Sequence, residues 1–301
     1  MIRFVLLGAL VATTVAILPG GSLGGPTVEC YGDAATIVGT EGDDVLNGTG
    51  VGDVIAGLGG NDTITSGSGQ DFICPGEGND TVNAGAGLDN IEASGGDDAI
   101  DGGDGLDFIG YFDSPAAANI NLGAGTATGW GTDTVSHVEG VVGSRFADHL
   151  TGSAAHNQLE GRRGNDVLAG AGGNDDLLPG PGIDTVKGGP GFDYADYWDA
   201  SRGITANLAT RRATGNGLDR FVTVEALGGG DFRDVFTGNG SPNSLYGGAG
   251  NDRIFGAGSY DNVWGDTGND YLDGGPGNDF VDGGPGRDTC LNGERKRRCS
   301  P

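Results

Sequence analysis

The sequence predicts an all-β fold, a solenoid of glycine-rich nonapeptide repeats, and three observations predict it. Cut every nine residues from Gly39, residues 39–110 read as eight consecutive segments, from GTEGDDVLN to GGDGLDFIG. The sixth residue of all eight is aspartate, and the eighth is always leucine, isoleucine or valine. Glycines crowd the first four positions, and β-prone residues fill the last three. In GLGGNDTIT, residues 57–65, the glycines suit a turn that needs positive φ and close backbone approach. Thr63-Ile64-Thr65 suits a strand in which Ile64 points inward and its neighbours face solvent. Two repeats, eighteen residues, make turn, strand, turn, strand and close one coil. The next coil stacks at about the strand spacing of 4.8 Å, so the eighth positions form a thin apolar core.

Composition sets the outer limits. Of 301 residues 65 are glycine, the net charge is −26, and only 36% are hydrophobic. Without a period, that mixture describes a disordered chain. Collagen is excluded, because glycine does not fall on every third residue. Nucleic-acid binding is excluded by the acidic balance, since phosphate recognition needs basic patches. An ordinary enzyme core is disfavoured by the shortage of apolar volume.

Taken in chain order, Arg3 and the uncharged apolar run Phe4 to Leu18 read as a secretory signal peptide over residues 1–24. That run is short for a bilayer span, so no membrane span is expected after cleavage. A retained anchor is the alternative. Residues 25–38 form an N-terminal cap segment, followed by the first block of eight repeats, 39–110. Insert one covers 111–142, a second block of six repeats 143–196, insert two 197–228, and a third block of seven repeats 229–291. The basic tail, 292–301, holds Arg295, Lys296, Arg297 and Arg298, whose expected partner is the protein's own acidic surface.

Of the twenty-one repeats, nineteen have aspartate at position six; the exceptions are Asn157 and Asn243. Residues 111–196 also align with 197–282 at a constant offset of 86. Tyr111 matches Tyr197, Asp133 matches Asp219, Glu139 matches Glu225, and Asn157 matches Asn243. Shared departures from the pattern indicate an internal duplication. Each insert alternates apolar and polar residues locally, as in Asn119-Ile120-Asn121-Leu122, and reads as short strands that lengthen or cap the coils. Tyr194, Tyr197 and Trp198 cluster at the second junction; packing is favoured over a sugar-binding platform.

Four cysteines in an exported chain indicate disulfides. Two stand at the start of the repeats and two at the end, and the expected pairs are Cys30–Cys74 and Cys290–Cys299. Free or metal-bound thiols are the alternative, although no Cys-x-x-Cys spacing supports zinc.

Stacked turns bring together carboxylates eighteen residues apart, such as Asp44 and Asp62. Like charges held that close repel unless a cation lies between them. Carboxylates and turn carbonyls make an all-oxygen ligand set, which suits Ca2+ better than Mg2+ or Zn2+. A lone aspartate in a glycine turn reads as solvated or as an Asx hydrogen-bonder. The tandem array favours calcium.

The pattern G-G-x-G-x-D-x-U-x, with U a large apolar residue, resembles the RTX, or haemolysin-type, calcium-binding repeat. GGPGNDFVD at 274–282 and GGPGRDTCL at 283–291 are close matches. The resemblance implies a parallel β-roll (β-helix) with calcium between same-side turns. It implies side-chain ligands at Asp44, Asp53, Asp62, Asp71, Asp80, Asp89, Asp98 and Asp107 in block one. In block two they are Asp148, Asp166, Asp175, Asp184 and Asp193, and in block three Asp234, Asp252, Asp261, Asp270, Asp279 and Asp288. Phe146 and Phe232 replace the fourth glycine before Asp148 and Asp234, and sites using Asn157 or Asn243 should be weak. Each ion needs two same-side turns, so the three blocks offer about 15 sites at most. About 15 Ca2+ ions would roughly cancel the formal charge.

No catalytic constellation is present. There is no His-Glu-x-x-His and no P-loop. The expectation is therefore a non-enzymatic, secreted, extracellular calcium-binding protein. Two alternatives stay open: a calcium-stiffened surface adhesin with a cell-surface or polysaccharide ligand, and a polysaccharide-active enzyme using the inserts.

Overall fold

The computed structural model describes residues 28–300. The signal-peptide reading, residues 1–24, lies outside them. The described residues are built of strands and turns, with no helix. They divide into two compact units, the first comprising residues up to Gly110 with Thr126–Val138, the second Tyr111–Gly125 with Glu139 onward.

In the first unit, each repeat places its last three residues in a strand. Thr63–Thr65 shows the rule: Ile64 is fully buried while both threonines are exposed. Successive repeats alternate between two parallel sheets. One runs from Ile37–Val38 through Val54–Ala56, Phe72–Cys74 and Asn90–Glu92 to Phe108–Gly110. The other runs from Val45–Asn47 through Thr63–Thr65 and Thr81–Asn83 to Ala99–Asp101. Register advances by eighteen residues, as in Ile64 opposite Val82, so one coil is two repeats. Ile55, Ile64, Ile73, Val82, Ile91, Ile100 and Ile109 stack between the sheets and are at most 2% exposed. The sheet then takes up Thr132–Ser136, parallel to Ala99–Asp101, with Thr126–Thr128 antiparallel beyond it.

The second unit repeats the plan. Gly140–Val142, Gln158–Glu160, Asp176–Leu178 and Tyr194–Asp196 form one parallel sheet, which continues through Ala226–Gly228 to Phe280–Asp282 and the tail strand Arg295–Arg297. In the opposite sheet, His149–Thr151, Val167–Ala169 and Thr185–Lys187 are parallel neighbours. Insert two adds three strands there. Leu218–Val222 pairs parallel with Thr185–Lys187, Arg212–Thr214 runs antiparallel, and Thr205–Asn207 turns back. Parallel pairing then resumes with Val235–Thr237. The insert is thus spliced into the ladder rather than set on its end. Leu150, Leu159, Leu168, Leu177 and Val186 fill this core, and so do Phe236, Ile254, Val263 and Leu272, all 0% exposed.

Tyr197 is also fully buried and packs edge-on to Phe221 at 6.4 Å, with its hydroxyl donating to Asp219. Tyr194 is buried too, whereas Trp198 is exposed at 36%, so the two tyrosines pack and no three-ring platform forms. Disulfides join Cys30 to Cys74 and Cys290 to Cys299. In the tail, Arg298 forms a two-point ion pair with Asp282, and Arg295 lies over the rings of Tyr260 and Phe280. No helix of the described residues is long and apolar enough to cross a membrane.

Candidate metal centre

The position-six aspartates form ladders. Each backbone N–H at position six donates to Oδ1 of the aspartate one coil further on, as from Asp62 to Asp80 at 2.8 Å and from Asp252 to Asp270 at 2.9 Å. The same bond joins six same-side pairs in block one, from Asp44–Asp62 to Asp89–Asp107. It joins four pairs in block two and five in block three. A second ladder runs along position five, where Asn61 Oδ1 accepts from Asn79 N–H and Asn79 Oδ1 from Asp97 N–H. Geometry therefore unites the aspartates named from the sequence, two turns at a time.

The other carboxylate oxygen divides the turns into two classes. In the first two turns of each block it is held by its own turn. Thr40 donates its N–H and its hydroxyl to Asp44 Oδ2 at 2.6 and 2.8 Å, and Thr49 does the same for Asp53. Ser144 N–H donates to Asp148 Oδ2, and Gly230 N–H to Asp234 Oδ2. Ser153 and Asn239 cap Asn157 Oδ1 and Asn243 Oδ1 in the same way. The amide nitrogens of Asn157 and Asn243 each donate at 3.1 Å to a carbonyl of the preceding coil, Glu139 O and Glu225 O. That bond explains the two departures from aspartate, since a carboxylate could not donate it.

In later turns Oδ2 is buried and accepts nothing. Among the described residues this holds for Asp62, Asp71, Asp80, Asp89 and Asp98, for Asp166, Asp175, Asp184 and Asp193, and for Asp252, Asp261, Asp270, Asp279 and Asp288. Asp107 occupies the same register, its Oδ1 accepting from Asp89. A buried carboxylate oxygen without a donor costs about 1–3 kcal/mol or more, so fourteen of them need a counterpart. Their surroundings are oxygen. A Cβ on Gly247 would sit 2.4 Å from Asp252 Oδ2 and 2.6 Å from the Gly265 carbonyl oxygen of the next coil. Gly265 repeats this with Asp270 Oδ2 at 2.4 Å and Gly283 O at 2.6 Å. At these glycines carboxylate and carbonyl oxygens converge where a side chain would start, whereas Ser66, Pro75, Ala84, Ala93 and Pro179 hold the same position in other later turns. Convergent oxygens with no donor between them fit a hard cation. Nitrogen and sulfur ligands are lacking, and no group of three or more His, Cys, Asp or Glu gathers among the described residues. Any ion here must draw on main-chain carbonyls as well as carboxylates.

Electrostatics agree. Burial pushes the Asp184 carboxyl up to about 8; the Asp166 N–H opposes this, and the charges of Asp219 and Asp166 add to it. Burial likewise raises Asp252 to about 8, and Asp98, Asp166 and Asp261 to about 7. Raised values mean that the fold strains to hold these groups ionised without a cation.

Four carboxylates in the position-six ladders were not singled out from the sequence. Asp98 N–H donates to Asp133 Oδ1, and Asp184 N–H to Asp219 Oδ1, both at 3.1 Å. Asp193 N–H donates to Glu225 Oε2 and Asp279 N–H to Glu294 Oε2. The offset of 86 already matched Asp133 to Asp219, but nothing local marked either as a ladder member.

No curated protein matches the chain. The family model of the RTX calcium-binding nonapeptide repeat matches residues 32–50, 38–73, 47–82, 75–109, 142–177, 228–263 and 258–290. These stretches cover more than half of the sequence and take in the open turns of block one and block three. With its ladders of buried aspartate under glycine turns, the chain belongs to the RTX calcium-binding nonapeptide repeat family.

Proposed function

We propose that this is a secreted calcium-binding protein whose coils fold as Ca2+ binds between same-side turns, and that it performs no catalysis. The observation that carries this reading is the set of buried Oδ2 atoms with no donor, repeated in every block after its second turn. Bound calcium would supply positive charge shared between carboxylate and carbonyl oxygens of neighbouring turns. The aspartates of the later turns would hold it through Oδ2, while Oδ1 fixes their orientation from the preceding coil. Asp44, Asp53, Asp148 and Asp234 keep their Oδ2 engaged within their own turns and would serve chiefly as caps. Fifteen same-side pairs set an upper limit of about 15 ions.

Without calcium the carboxylates repel and the thin core cannot compensate, so binding energy becomes folding energy. Secretion is supported by the apolar leader sequence and by two disulfides, which persist in oxidising compartments. Low calcium inside the cell would leave the chain loose enough for export. A calcium titration followed by far-UV circular dichroism, with bound ions counted, tests the reading. β signal should rise with calcium and saturate near the limit above. A calcium-free spectrum already rich in β structure and unchanged by the metal would overturn coupled folding.

A further inference from the structure

Insert two carries a cationic cleft. Arg212–Thr214 and Leu218–Val222 pair antiparallel, with Arg212 directly opposite Arg220. Strand alternation turns Ala213, Asp219 and Phe221 inward, where each is at most 2% exposed, and leaves Arg212, Leu218 and Arg220 outside. Arg211, exposed in the adjoining turn, adds a third guanidinium. Residues 210–213 and 218–220 line a cleft of about 250 Å³.

Like charges directly opposite weaken a strand pair. The lateral neighbours give no relief, because Asn207 lies beside Arg212 and Thr185 beside Arg220. Asp219 is the one carboxylate in the lining, and it is committed elsewhere. Its Oδ1 accepts from Asp184 N–H at 3.1 Å and its Oδ2 from the Tyr197 hydroxyl at 3.0 Å. The ion pairs His137–Asp101 and Arg298–Asp282 lie elsewhere, and among the described residues none involves Arg211, Arg212 or Arg220. The hairpin does not need arginine to form. At the offset of 86, insert one has Gly125, Thr126 and Thr134, and Thr126 stands opposite Thr134 in the same antiparallel register. Arg212 and Arg220 are thus an exposed like-charge pair, with Arg211 beside it, that a bound anion would stabilise.

We propose that this cleft binds one anionic sugar unit of an acidic polysaccharide. Guanidinium forks match the paired oxygens of sulfate, carboxylate or phosphate. Leu218, 57% exposed, and the arginine stems offer apolar ground to the C–H face of a sugar ring. The volume lies below the roughly 300–1,000 Å³ usual for drug-sized ligands, as a monosaccharide unit requires.

The test uses the full chain in calcium, titrated with a sulfated disaccharide, its unsulfated counterpart, inorganic sulfate and a short DNA duplex. The sulfated disaccharide should bind at one site, more tightly than inorganic sulfate, and weaken with added salt. The pair Arg212→Gln and Arg220→Gln should weaken it at least tenfold while leaving the calcium-loaded circular dichroism spectrum unchanged. Placing arginine in insert one, by Thr126→Arg with Thr134→Arg, should add a second site. Unaltered binding by the glutamine variant, or equal binding of the unsulfated sugar, overturns the proposal. Sulfate binding as tight as the sugar reveals a free-anion site and overturns the polysaccharide assignment, as does preference for the duplex.

Discussion

In the first two turns of each block the position-six side chain is held by its own position-two N–H, at 2.6 to 3.1 Å. In the turns that follow, the equivalent oxygen is buried and accepts no hydrogen bond. The nonapeptide frame is the same in both; the backbone at position two is not. It is left-handed in thirteen of the fourteen later turns, on glycines such as Gly76 and Gly284 and on side-chain-bearing residues such as Leu58, Arg162 and Ala257. Ser94 is the exception. In the opening turns position two is Thr40, Thr49, Ser144, Ser153, Gly230 or Asn239, none left-handed. The difference follows from stacking. An opening turn has no nonapeptide one coil before it on its side, so a shared site cannot be completed there. The turn satisfies its carboxylate or amide internally. The lesson is that a repeat's chemistry depends on its place in the stack as well as on its consensus.

The broadest way to break this comparison is pH. The folded-state values of about 7 for Asp98 and Asp166 and about 8 for Asp184 and Asp252 lie above the ordinary 3.8. The metal-free fold therefore binds protons more tightly than the unfolded chain. That contribution to stability is complete below about pH 4 and is lost as pH rises through about 8. In chelator, circular dichroism should show more β structure at pH 5 than at pH 8. With calcium the order should reverse, because the ligands must be deprotonated. A chelated chain that gains structure as pH rises would contradict the open-carboxylate reading.

A glycine pair sharpens the contrast. Gly78, in a later turn at φ 132°, would carry a Cβ 1.9 Å from the Gly60 carbonyl oxygen, whereas a Cβ on Gly50, in an opening turn, meets nothing within 4 Å. Gly78→Ala should cost about 3 kcal/mol or more in urea unfolding with calcium present. Gly50→Ala should be neutral, or stabilise by about 0.5–1 kcal/mol through the unfolded state. Equal costs would mean that coil spacing does not constrain the later turns.

Ion counting separates the classes chemically. Asp80→Ala should remove at least one bound calcium and weaken the remaining affinity about tenfold, about 1.4 kcal/mol. Asp44→Ala should leave the count unchanged. Identical losses would erase the distinction between cap and ligand. The smallest loss of stability expected is that of Ser144→Ala. It removes the hydroxyl bond to Asp148 Oδ1 and should cost about 1 kcal/mol in thermal or urea unfolding, again with no change in ion count.

Much of this protein was legible in nine residues. The glycine turn, the inward apolar residue at position eight and the period itself are local properties, so Ile64 in the core and Thr63 in solvent follow from sequence alone. The aspartate column followed from the same period. The duplication is equally visible, and it pairs Asn157 with Asn243 without giving the reason for asparagine. That reason is a carbonyl eighteen residues earlier in each case, which no local pattern displays.

The sequence by itself determined the solenoid, its register and the residues facing its core, because each repeat carries the whole instruction for one turn and one strand. Only the tertiary structure decided which carboxylates close on their own turn and which stand open. It also recruited Asp133, Asp219, Glu225 and Glu294 to the ladders and set Arg212 against Arg220. Those outcomes depend on what the adjacent coil or strand presents, which is a property of the stack and is absent from any single repeat.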